Sequence, residues 1–202
     1  KWAYDNILDI IALGFDPNKK TIFWTPISDY YIPDNDIDPY VFGLLGKMRD
    51  RQVIARFSPS LEAASLADAK PYPNMIIDRP GVRLEGGLEL SKEDDDRLMN
   101  EIYSSDVVVC GPSTIALDAV FMGKPVVLAG FHPKPRPYLK SVMRRYDYDH
   151  FAFAIQCGAV RLARSEEELK KFIDEYIKNP SQDEQGRERL INAYAGPRDG
   201  KS

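Results

Sequence analysis

Four short apolar runs stand out along the sequence, and each is continuous rather than alternating with polar residues. Continuous β-branched runs of this length are typical of parallel strands that are buried on both faces. The four runs lie at residues 21–24, 52–57, 106–110 and 125–129. Apolar residues at helical spacing occur between and after them, most clearly at residues 91–104, 113–122 and 165–178. Strands and helices therefore alternate.

Weaker patterns extend this alternation. Residues 75–78 and 159–162 have the composition of short strands, and residues 82–84 that of a third core strand. Residues 60–69 predict a short helix, and another helix is predicted to end near Arg145. The whole pattern predicts an α/β fold with a Rossmann-like parallel sheet of about six strands and helices on both faces.

Sheets of this kind bind ligands beyond the carboxyl ends of their strands, where the strand order reverses. The length of 202 residues fits one domain, so we interpret residues 1–202 as a single domain. The sequence opens on Lys1 rather than on Met, and we interpret it as a fragment of a longer protein.

Composition and charge exclude several classes of function. The net charge of −4 provides no basic field, so we expect no nucleic-acid partner. The two cysteines have no neighbours at metal-ligand spacing, which favours a reducing cytoplasm over a disulfide framework. No apolar run approaches the roughly 20 residues of a transmembrane helix. The acids at residues 93–96 fall in a predicted first helical turn, so we predict no metal site there. We also predict no cofactor.

The strongest chemical signal lies at residues 105–127, where a strand, a turn of small residues, a helix and a second strand follow one another. Gly111 allows a sharp turn, and Ser113 and Thr114 then bring hydroxyls and backbone amides to the helix start. Roughly four or five donors are expected to converge there on an anion such as a diphosphate. Asp118 lies one turn further on, where it can accept hydrogen bonds from ribose hydroxyls. The structural alternative is that Ser113 only caps the helix and Asp118 is a surface residue.

This segment resembles the nucleotide-binding motif of glycosyltransferases with the B-type fold. The resemblance includes the serine at the helix start and the Gly-Lys-Pro-Val sequence at residues 123–126. Residues 13–24 and 199–202 are similar to the opening and the end of the C-terminal domain in CDP-glycerol glycerophosphotransferases. The resemblance implies the C-terminal half of such an enzyme, which holds a UDP- or CDP-linked donor for transfer of a sugar or a polyol phosphate.

The resemblance also implies a missing partner. In B-type enzymes the catalytic base usually comes from an N-terminal acceptor domain, which would lie outside this sequence. The catalytic residues are therefore unknown, and we expect the isolated fragment to bind its donor with hardly any turnover.

Two departures from that family leave alternatives open. The His-Pro pair that contacts donor phosphate is replaced by Ser58-Pro59, and the first-strand loop at residues 26–29 differs from the usual Pro-Thr-Trp-Arg. A UDP-sugar 2-epimerase shares the fold, but its Gly-Gly and paired acids are replaced here by Ser113-Thr114 and a single acid. A non-catalytic nucleotide-binding or interaction domain is the other alternative, and the absent His-Pro pair favours it.

Three residues outside the motif complete the predicted nucleotide site, and we expect them to border one crevice with it. Arg56 ends a predicted strand, where its guanidinium can hold a phosphate; the alternative is an ordinary surface ion pair. Ser58 can cap the next helix or donate to phosphate, and the two roles are compatible. His132, on the loop after residues 125–129, can hydrogen-bond a diphosphate beside Lys134, or belongs to a merely solvated loop.

Overall fold

The computed structural model describes most of the chain between Asp16 and Gly196. The described residues are 16, 18–27, 29, 32, 34–57, 64–84 and 87–196. Ser58 and residues 199–202 lie outside this part of the chain, and so does the beginning of the segment 13–24.

The described residues form short strands and helices in alternation. The strands are β1 (Thr21–Thr25), β2 (Gln52–Arg56), β3 (Met75–Asp78), β4 (Val82–Leu84), β5 (Gly87–Glu89), β6 (Val107–Cys110), β7 (Val126–Ala129) and β8 (Arg161–Ala163). The α-helices are α1 (Ile37–Lys47), α2 (Lys92–Ser104), α3 (Ile115–Phe121), α4 (Asp149–Gln156), α5 (Glu166–Lys178) and α6 (Glu184–Tyr194). Short 3-10 helices span Ala64–Leu66, Tyr138–Lys140 and Val142–Asp147. Within the described residues, no helix combines the length and the apolar character needed to cross a membrane.

The chain divides into two compact units, Lys1–Asp106 and Val107–Ser202. In the first unit β2 pairs in parallel with both β1 and β3, and in the second unit β7 pairs in parallel with both β6 and β8. The strands form a six-stranded sheet in the order β3-β2-β1-β6-β7-β8, with helices around it. This is the strand order of Rossmann folds, and it confirms the predicted fold class. That residues 1–202 form a single domain stays a prediction.

The apolar runs form strands that are buried on both faces. Every residue of β1, β2, β6 and β7 is buried. In the first unit Trp24 packs against Phe42 and Phe57, with ring centroids 5.8 Å and 6.4 Å apart. Burial of this kind explains why the sequence runs are continuous, since neither face of these strands meets water.

Helix α2 begins where the sequence predicts. Ser91 Oγ accepts a hydrogen bond from Asp94 N at 3.2 Å, and Asp94 Oδ2 accepts one from Ser91 N at 3.1 Å. These two bonds form a reciprocal capping box, which satisfies amides that the helix itself leaves unpaired.

Three elements differ from the sequence prediction. Strand β4 is not a core strand, because it pairs antiparallel with β5 in a separate two-stranded sheet. Of residues 60–69, the described part contains a single 3-10 turn rather than a helix. The predicted helix ending near Arg145 is two 3-10 helices, because Ser141 interrupts it and caps the second one by accepting from Met143 N at 3.2 Å.

The close packing of α1 against Tyr72 in the first unit can be tested by substitution. A β-carbon at Gly46 would come within 2.2 Å of the Tyr72 ring, whereas one at Gly43 would meet only the Tyr72 hydroxyl, at 3.8 Å. We expect Gly46→Ala to lower the free energy of unfolding by about 1–3 kcal/mol, because the ring must move. Gly43→Ala is the matched control and should raise that free energy by up to about 1 kcal/mol through helix propensity. Urea unfolding measures both, and equal effects would contradict the close contact.

Candidate functional site

The turn between β6 and α3 holds the predicted nucleotide motif. Strand β6 ends at Cys110, which is fully buried, and burial raises the pKa of its thiol to about 12. The chain bends at Gly111 and Pro112, and Ser113 N donates to Gly111 O at 2.8 Å. Gly111 is not among the described glycines that have a positive φ. Its backbone conformation at this bend therefore does not require glycine.

The turn satisfies most of its own amides, which corrects the expected number of free donors. Ser113 accepts twice, from Ile115 N through Oγ at 3.4 Å and from Ala116 N through its carbonyl at 3.0 Å. Thr114 N has no hydrogen-bond partner among the described residues, and the Thr114 side chain is exposed. The donors that remain for an anion are therefore the Thr114 amide and the two hydroxyls.

Asp118 lies one helical turn beyond Thr114. Its backbone N donates to Thr114 O at 3.2 Å, so the two residues stand at neighbouring positions on one face of α3. The Asp118 carboxylate is half-buried and accepts no hydrogen bond from any described residue. Burial raises its pKa. An accessible carboxylate without a partner is what a ligand hydroxyl requires.

His132 follows β7 and is fixed through one ring nitrogen. Its Nε2 accepts a hydrogen bond from Val142 N at 3.0 Å, so this nitrogen is already occupied. The loop is anchored further by Tyr146, whose hydroxyl donates to Ala129 O at 2.8 Å. Any contact from His132 to a diphosphate would have to use Nδ1. Binding of a phosphate by His132 stays a prediction.

Arg56 is not a free phosphate ligand in this structure. Its Nη1 donates to Asp78 Oδ2 at 2.5 Å and to Glu101 Oε2 at 3.0 Å, and its Nη2 donates to the Asp94 carbonyl at 2.8 Å. The residue is 5% exposed. The alternative to phosphate binding, an ion pair of Arg56, is therefore present, although it is buried rather than on the surface. We leave Arg56 out of the proposed site, because binding a phosphate would require the guanidinium to give up these partners.

The cluster around Arg56 contains acids that the sequence analysis missed. Register pairs Arg56 with Asp78 on neighbouring strands, and the side chain of Glu101 reaches Arg56 from α2. Burial, together with the charge of Asp78, raises the pKa of Glu101 to about 7 even though Arg56 lowers it. The hydrogen bond from the Ser91 amide lowers the pKa of Asp94 to about 2. The sequence signal that could have revealed this cluster is the position of Arg56 and Asp78 at the ends of two successive predicted strands.

A second buried polar cluster orders the loop after β1. Asp38 accepts from Ile27 N through both carboxylate oxygens, at 3.0 Å and 2.9 Å, and also accepts from Asn35. Asp29 accepts from Asn35 Nδ2 at 2.9 Å and from Ser65 Oγ at 2.8 Å. Burial raises the pKa of Asp38 to about 7. Asp29 belongs to residues 26–29, where the sequence departs from the glycerophosphotransferases. Its carboxylate and that of Asp38 both accept hydrogen bonds from Asn35.

The described residues contain no group of three or more His, Cys, Asp or Glu side chains that could hold a metal ion. Of the acids at residues 93–96, Glu93, Asp94 and Asp95 lie in the first turn of α2, after the capping residue Ser91. Among them Asp94 caps the helix and also forms an ion pair with Arg97.

Solved structures share this fold at low sequence identity. The wall teichoic acid polymerase TagF, in a crystal soaked with CDPG, matches with a TM-score of 0.55 and 16% identity over 93% of this chain and 40% of its own. The UDP-GlcNAc 2-epimerase from Methanocaldococcus jannaschii gives 0.53 and 11%, over 96% and 50%. The C-terminal CMP-Kdo binding domain of WaaA from Acinetobacter baumannii gives 0.50 and 10%, over 94% and 97%. The chain has the fold of a B-type glycosyltransferase domain.

Sequence comparisons define no family. No family model matches the chain. A stretch of 37 residues is 60% identical to tryptophan–tRNA ligase from Pyrococcus horikoshii and covers 16% of this chain and 10% of that enzyme. A match of 76 residues to the same enzyme from Saccharolobus solfataricus is 40% identical and covers 38% and 18%. The chain thus spans less than a fifth of these relatives.

The Arg56 cluster predicts a pH dependence of stability. Because the pKa of Glu101 is higher in the folded chain than its ordinary value, stability from this group is present at low pH and is lost as the pH rises toward 7. Glu101→Gln removes this ionisation. Between about pH 5 and pH 8 we expect the stability of the variant, relative to the parent, to increase by about 1–3 kcal/mol.

Denaturant unfolding at several pH values measures this difference. Glu93→Gln is the matched control, because Glu93 is an exposed acid on the same helix, and the increase for Glu101→Gln should exceed any change in this control. A relative stability of Glu101→Gln that falls with rising pH would show that Arg56 dominates and lowers the pKa of Glu101.

Proposed function

We propose that this chain binds the nucleotide part of an activated donor, as the donor-binding domain of a transferase that moves a sugar or a polyol phosphate. The unpartnered carboxylate of Asp118, one helical turn from the Thr114 amide, carries this proposal. The carboxylate would accept hydrogen bonds from the ribose hydroxyls, while Thr114 N and the hydroxyls of Ser113 and Thr114 would donate to the diphosphate. The fold supports the proposal, because Rossmann-like sheets bind nucleotides at the ends of their strands.

The chemical contribution of such a site is electrostatic. Breaking the bond between the donor phosphate and the transferred group leaves negative charge on the departing nucleotide. Donors fixed by the β6–α3 turn would stabilise that charge without having to reorganise during the reaction. We also propose that His132, on the loop after β7, contacts the diphosphate, as the sequence predicts.

Several wider features belong to the same proposal. The donor would be linked to UDP or CDP, and an N-terminal acceptor domain would supply the catalytic base, so that this chain alone binds without turnover. We also propose a reducing, cytoplasmic location, which agrees with the free thiols of Cys110 and Cys157.

A UDP-sugar 2-epimerase is the second candidate. Solved epimerases share the fold, as the Methanocaldococcus jannaschii enzyme illustrates, but the similarity is limited to the fold. The residues at the turn favour the transferase, because Ser113, Thr114 and a single acid stand where an epimerase has two glycines and paired acids. A non-catalytic domain is the third candidate. It would bind a nucleotide without catalysis or, as an interaction domain, would bind none.

The substitution Asp118→Asn should change nucleotide affinity and folding stability in opposite directions. For the nucleoside diphosphate that binds best among those of cytidine, uridine, guanosine and adenosine, we expect affinity to fall by about 1.5–3 kcal/mol, or ten- to a hundredfold. The free variant should be more stable than the parent at neutral pH. The pKa of Asp118 is raised by burial, so its ionisation in the folded chain opposes folding above its ordinary pKa.

Calorimetric titration and thermal unfolding measure the two effects. The control is Glu188→Gln, which removes an exposed acid from α6 of the same unit and should change neither affinity nor stability appreciably. Unchanged affinity in Asp118→Asn would contradict the ribose assignment. Failure of the parent chain to bind any of the four nucleotides would favour the interaction domain.

A further inference from the structure

One stretch of the second unit has a charge unlike that of the rest of the chain. Between residues 123 and 146 there are six lysines and arginines and no aspartate or glutamate, although the chain as a whole carries a net charge of −4. The six are Lys124, Lys134, Arg136, Lys140, Arg144 and Arg145. Lys134 and Lys140 are exposed. The five cations that follow β7 lie close together in sequence, and a basic segment of this kind attracts anionic surfaces.

The same stretch exposes apolar side chains between its cations. Leu139 is 72% exposed and Tyr138 is 54% exposed, and both belong to the 3-10 helix Tyr138–Lys140. The prolines at positions 133, 135 and 137, which precede this helix, are exposed as well. We call residues 133–140 the basic-apolar strip.

Hydrogen bonds on both sides of the basic-apolar strip connect it to the rest of the second unit. At one end the ring of His132 accepts from Val142 N at 3.0 Å, which ties the start of the loop to its end. Val142 and Tyr146 are buried, and the hydroxyl of Tyr138 donates to the Asp147 carboxylate. Because both sides are anchored, the exposure of Leu139 and Tyr138 is a fixed feature of the surface.

We infer that the basic-apolar strip docks on the surface of a bilayer that contains anionic phospholipid. Leucine and tyrosine side chains partition into the interfacial layer, and neighbouring lysines attract the lipid phosphates. Charge complementarity selects this occupant, because three cations, Lys134, Arg136 and Lys140, flank the apolar side chains and outnumber the Asp147 carboxylate that accepts from Tyr138. Docking of this kind uses neither Thr114 nor Asp118, so it is separate from the proposed nucleotide site.

Vesicle sedimentation of the 202-residue chain tests the inference. We expect the chain to bind vesicles of phosphatidylcholine mixed with phosphatidylglycerol, to bind pure phosphatidylcholine far more weakly, and to be released by salt. Lys140→Glu should weaken binding about tenfold, since a basic residue near an anionic surface contributes about fivefold and its reversal adds repulsion. Leu139→Asn should weaken it about fivefold, because a polar side chain loses the interfacial contact.

Matched controls separate the strip from overall charge and hydrophobicity. Lys171→Glu reverses an exposed lysine on α5, and Leu90→Asn removes an exposed leucine from the first unit; both should bind vesicles like the parent. Equal binding by Lys140→Glu and Lys171→Glu would overturn the inference. So would absence of vesicle binding by the parent, or self-association that depends on Leu139. Calorimetry with a nucleoside diphosphate keeps the two proposals apart, because Leu139→Asn leaves the nucleotide site intact.

Discussion

The central strands are buried on both faces, and this burial decides where charged side chains can lie. A charged side chain in the middle of such a strand would lose its water on either face, and no charge occurs there in β1, β2, β6 or β7. The exception is Arg56, which is the last residue of β2 and is held by two carboxylates and a carbonyl. Groups that can meet a ligand therefore lie in the loops and helix ends beyond the strands, where Thr114 and Asp118 stand.

Much of the fold could be predicted because its signals are local. The continuous apolar runs identify the buried strands, and the spacing from Ser91 to Asp94 identifies the start of α2. Strand pairing is not local, and this explains the error at residues 82–84. An apolar triplet looks the same whether it joins the main sheet or pairs with a neighbour in a hairpin, as β4 does with β5.

The candidate site could be predicted where one helix determines it. Thr114 and Asp118 are four positions apart, so the helix places them together whatever surrounds it. The number of free amides could not be predicted, since it depends on how the turn at Gly111 bonds to itself. Nor could the role of Arg56, whose partners come from β3 and α2 and depend on tertiary packing.

We propose that the turn from β6 into α3 holds the phosphates and ribose of a nucleotide. Amide NMR of the chain during titration with CDP or UDP tests this proposal, because it reports the response of each backbone N–H. We expect the largest saturable shift at the Thr114 amide, further shifts through Asp118, and a weaker titration in Asp118→Asn. Saturable shifts that leave Thr114 and Asp118 unchanged would place the nucleotide elsewhere and would contradict the proposed site.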